Sequence, residues 1–260
     1  MTWWHVAGHR GSRTRFSRSV ARDVSLKYSI TFLILAVSAL LTTSNADHVA
    51  ARAARVCASL AFGLVAMAYA LATPKLLLKR PDGRRRPWAW ALYWPYFVLN
   101  GLGLALFRGF ERQPPFEEVA PNLFLGRRLT ARECRRGATP RWSAVLDLAA
   151  EFSEPAPLRR VRAYWSLPIL DATGPTLPEL SAAVAWLVER VAEGPVYVHC
   201  ALGHGRSATV VVAYLLATGR AATVREGLAF VQSRRPGVSL GKPQLEALNR
   251  YLQSIGHERP

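Results

Sequence analysis

The stretch His199-Cys200-Ala201-Leu202-Gly203-His204-Gly205-Arg206-Ser207 is the strongest structural signal in this sequence. An apolar run over residues 195–198 precedes it, and a helix-like run over residues 207–216 follows it. A strand, a glycine-containing loop and a helix N-terminus in that order form an anion site, because backbone N–H groups point inward and the helix dipole adds about half a positive charge. We therefore predict a phosphate-binding loop that comprises His199, Ala201, Leu202, Gly203, His204 and Gly205.

Two side chains give this loop its predicted chemistry. Arg206 can hold two phosphate oxygens with a planar guanidinium, which a lysine cannot do. Cys200 lies at the base of the same loop, where a helix N-terminus and a guanidinium lower the pKa of a thiol well below its free value of about 8.5. A thiolate that faces a bound phosphoryl group is a nucleophile. The alternative is a buried structural cysteine, which does not account for Cys, Gly, Arg and Ser at fixed offsets.

The pattern His-Cys-x-x-Gly-x-x-Arg-Ser resembles the signature loop of the cysteine-dependent protein tyrosine phosphatases, and the short chain around it resembles their dual-specificity branch. The resemblance covers residues 115–254. It implies an α/β fold with a central, mostly parallel sheet flanked by helices. It also implies a two-step reaction through a phosphocysteine, with no metal and no other cofactor.

Three further residues complete the predicted site. Phosphate-ester cleavage needs a proton for the leaving oxygen, and Asp171, which ends an apolar strand 29 residues before Cys200, is close to where the family keeps its general acid. Asp147 is the alternative candidate for the general acid, but its position at the end of a predicted core strand favours a structural role. Ser207 is expected to hydrogen-bond the thiolate, and Gln244 occupies roughly the region where relatives keep a glutamine that positions the attacking water.

The two histidines of the loop are expected to have different roles. We predict that His199 fixes the loop through a backbone hydrogen bond and is not a metal ligand, because no second His, Asp or Glu has matching spacing. His204 is expected to have an outward side chain that touches the substrate.

The nature of the substrate stays open between two classes. The segments Asp171-Ala-Thr-Gly-Pro-Thr-Leu177 and Glu151-Phe-Ser-Glu154 resemble the mitochondrial subgroup that acts on phosphatidylglycerophosphate. That subgroup places Lys or Arg inside the loop, where this chain has Ala201 and His204. The main hypothesis is that the protein is a dual-specificity phosphatase that acts on phosphotyrosine, phosphoserine or phosphothreonine in proteins. The alternatives are a phospholipid head-group phosphatase and, in another class, a non-catalytic membrane-tethered phosphate-binding module.

The charge and the cysteine content indicate which partners and which cysteine chemistry the protein has. The net charge is +17, and the basic residues of the N-terminal half flank apolar runs, which favours anionic lipid over nucleic acid as a partner. The three cysteines show no paired spacing that indicates a disulfide framework or a zinc site.

The first 112 residues are interpreted as a membrane region. A basic cytoplasmic N-terminus (1–27) precedes a region (28–112) with predicted spans over 28–44 and 56–73, each about 26 Å long as a helix. Basic residues flank this pair and few lie between the spans, so both flanks are predicted to be cytoplasmic. The third apolar segment, 87–107, either spans or lies at the interface; its dense aromatics and an expected break at Asn100-Gly101 favour the interface.

Residues 113–260 form the predicted catalytic domain. Strands are expected over 122–126, 144–148, 164–170 and 196–199, and helices over 177–193, 207–216, 223–234 and 242–254. Their alternation predicts a parallel sheet. We expect a multi-pass protein of a bacterial-type inner (plasma) membrane, with this domain in the cytoplasm.

Overall fold

A computed structural model describes residues 12–44, 48–135 and 142–257 of the chain. Three long helices open the described chain, together with a short 3₁₀ helix, and their bounds are α1 (Ser12–Leu41), α2 (Val49–Ala70), the 3₁₀ helix (Pro74–Leu77) and α3 (Pro87–Phe110). By length and composition, Val24–Leu41, Val49–Ala70 and Pro87–Phe110 could each cross a membrane. The third apolar segment is one continuous helix, so the break expected at Asn100-Gly101 is wrong; Asn100 instead donates a side-chain hydrogen bond of 2.9 Å to the carbonyl of Tyr96, one turn earlier.

The remaining described residues form an α/β region. Its strands are β1 (Phe116–Ala120), β2 (Leu123–Arg127), β3 (Ala144–Ala149), β4 (Ala163–Ile169) and β5 (Val196–Cys200). Its helices are α4 (Ala131–Arg135), α5 (Ala156–Arg159), α6 (Leu177–Glu193), α7 (Arg206–Ala217), α8 (Val224–Arg234) and α9 (Lys242–His257). The four predicted strands and four predicted helices are confirmed to within three residues at their ends, and β1, α4 and α5 are additional to them.

The sheet has the order β1-β2-β5-β3-β4, and every pairing is parallel except that of β1 with β2. Side chains of successive strand residues point to opposite faces. Val196 and Val198 of β5 therefore pack in the core with α6 to α9, while Tyr197 between them packs on the other face, stacked on Trp142 with ring centroids 4.3 Å apart. The predicted mostly parallel α/β fold is confirmed, and it places the C-terminal ends of β3, β4 and β5 at one edge.

The connection between α2 and α3 packs on the α/β region. Lys79 is one of the basic residues that follow the second apolar run. Its side chain is fully buried and forms an ion pair with Asp147 at 2.6 Å. The guanidinium of Arg85 is also buried and donates to the carbonyls of Leu77 and Ala150. These long-range contacts hold the ends of α2 and α3 against the edge of the sheet that carries the loop after β5.

The distal parts of the first two helices have little protein around them. Exposed apolar side chains of α1 and α2 include Leu33, Ile34, Val37, Leu40, Leu41, Val49, Val56 and Leu60. Contiguous exposed apolar surface of this kind indicates contact with another apolar phase. With the length and composition of the helices, it indicates that the protein associates with a membrane.

Candidate active site

Cys200 ends the central strand β5, and the loop after it leads directly into α7. The backbone N–H of Gly203 and the hydroxyl of Ser207 each donate to Cys200 Sγ at 3.3 Å. Burial of the thiol opposes its ionisation, but the positive charge of Arg206 and these hydrogen bonds outweigh burial, so the pKa of Cys200 lies below its ordinary value. A lowered pKa favours the thiolate, which is the nucleophilic form of cysteine.

The carbonyl groups of the loop are bonded to residues around it. The backbone N–H of Arg128 donates to the carbonyl of Ala201, and that of Ser239 donates to the carbonyl of His204. The Arg235 guanidinium donates to the carbonyls of Leu202 and Gly203. Carbonyls that bond outward favour a loop whose N–H groups point inward, which is the arrangement that binds an anion. The N–H of Gly203 also donates to Cys200 Sγ. Sequence reasoning missed Arg235, which lies 35 residues after Cys200 and also donates to the carbonyl of Pro114 at 2.8 Å.

Gly203 needs to be glycine for two reasons. Its φ is +76°, a conformation that other residues rarely adopt, and a Cβ there would lie 2.3 Å from the backbone carbon of Gly126 in β2. The loop thus approaches the neighbouring strand too closely for any side chain.

Arg206, the first residue of α7, is held rigidly by a carboxylate. Its two terminal nitrogens donate to Glu151 Oε1 and Oε2 at 2.6 and 2.7 Å, and Nη1 also donates to the carbonyl of Ile169 at 2.9 Å. A bidentate pair of this kind fixes the plane of the guanidinium. Sequence reasoning placed Glu151 in an acidic segment but did not connect it with Arg206; its position just after β3, at the same sheet edge as the loop, was the available signal.

Asp171 lies at the mouth of the site. It follows β4, its side chain is 61% exposed, and its Oδ1 is 3.0 Å from Arg206 Nη2. The structure therefore brings together the predicted nucleophile, guanidinium and acid. The hydroxyl of Tyr69 in α2 donates to the backbone carbonyl of Asp171 at 3.4 Å, so one of the apolar helices contacts the start of the acid loop.

Gln244 lies beside the loop, as predicted. It is buried at the start of α9, and a Cβ on Gly205 would lie 2.9 Å from its Nε2. Its Oε1 accepts from Gly241 N–H at 2.9 Å and its Nε2 donates to the carbonyl of Thr173 at 3.2 Å, so it links α9 to the acid loop. The amide nitrogen carries a second N–H, which can donate to a water molecule.

His204 differs from its prediction. The side chain is not directed outward; it packs edge-on against Phe107 in α3, with ring centroids 5.7 Å apart, and its Nε2 lies 3.6 Å from Glu111 Oε2. The aromatic contact and the carboxylate hold it against the C-terminal end of α3. His204 thus connects the loop to the apolar helix.

His199 lies in a buried polar cluster beneath the loop. Its Nδ1 lies 3.2 Å from the carbonyl oxygen of Cys200, which is the predicted backbone contact, and burial lowers the pKa of His199 to about 4. The spacing argument missed that the fold brings Asp147 and Glu154 to it, with potential metal-ligating atoms within 4.8 Å of one another. A metal fits this cluster poorly, because the ammonium of Lys79 already neutralises Asp147. Burial, with the charge of Asp147, raises the pKa of Glu154.

The site resembles known phosphatases in sequence. Residues 131–254 match the family model described as the dual specificity phosphatase catalytic domain. The mouse protein named phosphatidylglycerophosphatase and protein-tyrosine phosphatase 1 is 36% identical over 91 residues, which are 34% of this chain and 47% of that protein. The Drosophila melanogaster dual specificity protein phosphatase Mpk3 is 30% identical over 135 residues, which are 49% of this chain and 31% of that protein. The chain thus spans less than half the length of these curated relatives.

The fold also matches a solved structure. The structure of PTPMT1 in complex with PI(5)P aligns with a TM-score of 0.51 at 22% identity, covering 56% of this chain and 100% of that one. This likeness supports the fold of the α/β region.

Proposed function

This chain belongs, through residues 131–254, to the dual-specificity branch of the cysteine-dependent phosphatases, and on that premise we propose that it is a membrane-anchored enzyme that hydrolyses phosphomonoesters through a phosphocysteine. The observation that supports this most is the meeting of three groups: Cys200 with a lowered pKa, Arg206 held by Glu151, and Asp171 within 3.0 Å of Arg206. A module that only bound phosphate would have no use for the thiolate.

The two proposed steps use these groups in sequence. Arg206 and the loop N–H groups bind the phosphoryl oxygens, and Cys200 Sγ attacks phosphorus while the ester oxygen leaves with the proton of Asp171. Water then attacks the phosphocysteine, Asp171 accepts its proton, and inorganic phosphate and the thiolate are released. Ser207 stabilises the departing thiolate, and Gln244 orients the water.

The substrate is proposed to be a phosphoprotein or, as a second candidate, a phospholipid with a single terminal phosphate. The contact of Tyr69 with the acid loop favours the second, because it places a membrane helix next to the phosphate site. Turnover by the full chain in anionic vesicles, measured on phosphopeptides, lipid phosphomonoesters and a soluble aryl phosphate, tests the proposal. Release of phosphate from none of them would contradict it.

We also propose a division into a basic N-terminus (1–27), a membrane region (28–112) and a catalytic domain (113–260); residues 1–11, 45–47, 136–141 and 258–260 lie outside the described residues. The helices α1 and α2 are the proposed spans. The third helix, α3, is proposed to lie at the interface, which leaves the catalytic domain in the cytoplasm of a bacterial-type cell.

The contacts at the two ends of α3 support an interfacial position. At its N-terminal end, Arg85 donates to Ser153 Oγ at 3.2 Å, and at its C-terminal end Arg108 donates to the carbonyl of Arg128. The helix has 24 residues and is about 36 Å long, whereas the hydrocarbon core is about 30 Å thick. If α3 crossed the bilayer, the α/β region that contacts both ends would have to cross it as well, which its polar surface forbids.

Reporter fusions to the C-terminus of the full chain measure this topology in a bacterial host. We expect fluorescence from a green fluorescent protein fusion and no activity from an alkaline phosphatase fusion, since two spans return the chain to the cytoplasm. Insertion of each reporter between α1 and α2 is the matched control and should give the opposite pair of signals. Alkaline phosphatase activity at the C-terminus would show three spans and an external site.

A further inference from the structure

A groove lies between α3 and the α/β region, next to the phosphate site. Its volume is about 260 Å³. This is slightly below the roughly 300–1,000 Å³ of pockets that enclose whole drug-sized ligands. The lining residues from α3 are Trp90, Phe97, Gly101, Leu104, Ala105 and Arg108, and those from the α/β region are Arg128, Glu151, Phe152 and Ser153.

The groove is amphipathic along its length. The α3 wall from Trp90 to Ala105 is apolar, and the next turn of the helix brings Arg108 opposite Arg128. The span from Trp90 to Arg108 is about 27 Å along the helix. Arg108 Nε is buried and has no hydrogen-bond partner among the described residues. The Arg128 guanidinium already donates to the carbonyl of Ser153, so the unpaired donor at this end, among the described residues, is Arg108 Nε. An apolar helix wall that ends in two guanidinium groups complements a molecule with a hydrocarbon chain and an anionic head.

The groove is continuous with the phosphate site through Glu151. This residue lines the groove, and both of its carboxylate oxygens accept from Arg206. The C-terminal end of α3 also contacts the phosphate loop through Phe107 and His204. These two contacts place the Arg108 end of the groove beside the phosphate loop.

We propose that this groove binds an acyl chain of a lipid phosphomonoester while its phosphate occupies the Cys200 loop. The inference rests on the proposed function and assigns its substrate to membrane lipids. The phosphoryl group passes to Cys200 Sγ, the bond from phosphorus to the lipid oxygen breaks, and the lipid alcohol leaves with the proton from Asp171. Water then releases inorganic phosphate.

Membrane lipid fits the groove better than a peptide does. The outer face of α3 exposes Trp88, Trp94, Val98, Leu99, Leu102, Leu106 and Phe110, which continue the exposed apolar surface of α1 and α2. A lipid can enter the groove from this surface without crossing water. A peptide segment would place backbone N–H and C=O groups against the apolar wall, where an unpaired polar group is costly.

Two glycines of α3 provide a matched pair of variants. A Cβ at Gly101, which lines the groove, and a Cβ at Gly103, which does not, would each meet no heavy atom within 4 Å. Leucine is a better helix former than glycine, so Gly101→Leu and Gly103→Leu should both preserve α3. Only Gly101→Leu places a side chain in the groove.

The measurement is the ratio of kcat/KM for a long-chain lipid phosphomonoester to kcat/KM for a soluble aryl phosphate, with the full chain in anionic vesicles. We expect this ratio to fall about tenfold in Gly101→Leu, since tenfold corresponds to the lost burial of about two methylene groups. In Gly103→Leu it should stay within about twofold of the parent ratio. Equal ratios in the two variants, or an equal loss on phosphopeptides and lipids, would overturn the inference.

A chain-length series tests the groove without a mutation. In the parent chain, the ratio should increase from short-chain to long-chain lipid phosphomonoesters, because each methylene group in the groove adds to binding. A ratio independent of chain length would overturn the inference while leaving the proposed phosphatase activity intact. Failure of the parent to hydrolyse even the aryl phosphate would instead contradict the proposed function.

Discussion

Replacement of Cys200 by serine is expected to abolish turnover while phosphate analogues still bind. Phosphoryl transfer to sulfur requires the thiolate, and a serine hydroxyl is not ionised at neutral pH. The loop N–H groups and Arg206 remain in place, so the anion site persists. Phosphate release and the affinity for an inorganic oxyanion, measured on the full chain, check both parts. Turnover by Cys200→Ser at even a tenth of the parent rate would exclude the proposed nucleophile.

The variant Arg206→Lys separates charge from geometry at the same site. A lysine keeps the positive charge but cannot form the two parallel hydrogen bonds that Arg206 forms with Glu151, and it cannot hold two phosphate oxygens in one plane. We expect most of the activity to be lost even though the charge is conserved.

Asp171→Asn is expected to slow hydrolysis of poor leaving groups by about 100- to 10,000-fold, the usual cost of removing a general acid. Alkyl phosphates and phosphotyrosine should be slowed strongly. An activated aryl phosphate should be slowed much less, because its leaving oxygen needs no proton. The measurement is kcat/KM against leaving-group pKa for the parent chain and the variant.

Asp147→Asn is the matched control for the acid. Asp147 is fully buried and pairs with Lys79, so the substitution leaves a buried ammonium without its partner, which typically costs about 3–5 kcal/mol of stability. It should lower the unfolding temperature and reduce activity equally on all leaving groups. If the loss of activity depends on the leaving group in Asp147→Asn and not in Asp171→Asn, then Asp147 is the general acid and the assignment to Asp171 is wrong.

The parts of the site that lie together in the sequence could be predicted. Cys200, Gly203, Arg206 and Ser207 belong to one strand, loop and helix start, whose geometry follows from local backbone preferences. The structure brings Asp171 close to them because strands of one parallel sheet end at the same edge.

The residues that hold the catalytic loop and Arg206 in place could not be predicted, because their positions depend on tertiary contacts. Glu151 meets Arg206 from the end of β3, and Arg235 reaches the loop from the end of α8. Lys79 comes from the connection between the apolar helices, where the sequence shows only a basic residue that flanks a predicted span. These three contacts join residues that lie 55, 32 and 68 positions apart, beyond any local pattern.

For the apolar helices, too, the sequence predicts the segments but not how they pack. Composition predicted three apolar segments, and the structure has three long helices at those places. The continuity of α3 through Asn100 and Gly101, and its contacts with the α/β region at both ends, follow from packing that no hydropathy pattern records.

Transfer of the phosphoryl group to Cys200 can be observed by trapping the phosphocysteine intermediate. The full chain is mixed with an aryl phosphate, quenched within a single turnover and digested, and its peptides are analysed by mass spectrometry. We expect a phosphoryl group on Cys200 that accumulates when its hydrolysis is slowed, as in Gln244→Ala, and that is absent in Cys200→Ser. Hydrolysis without a phosphorylated Cys200, or with the phosphoryl group on another residue, would contradict it.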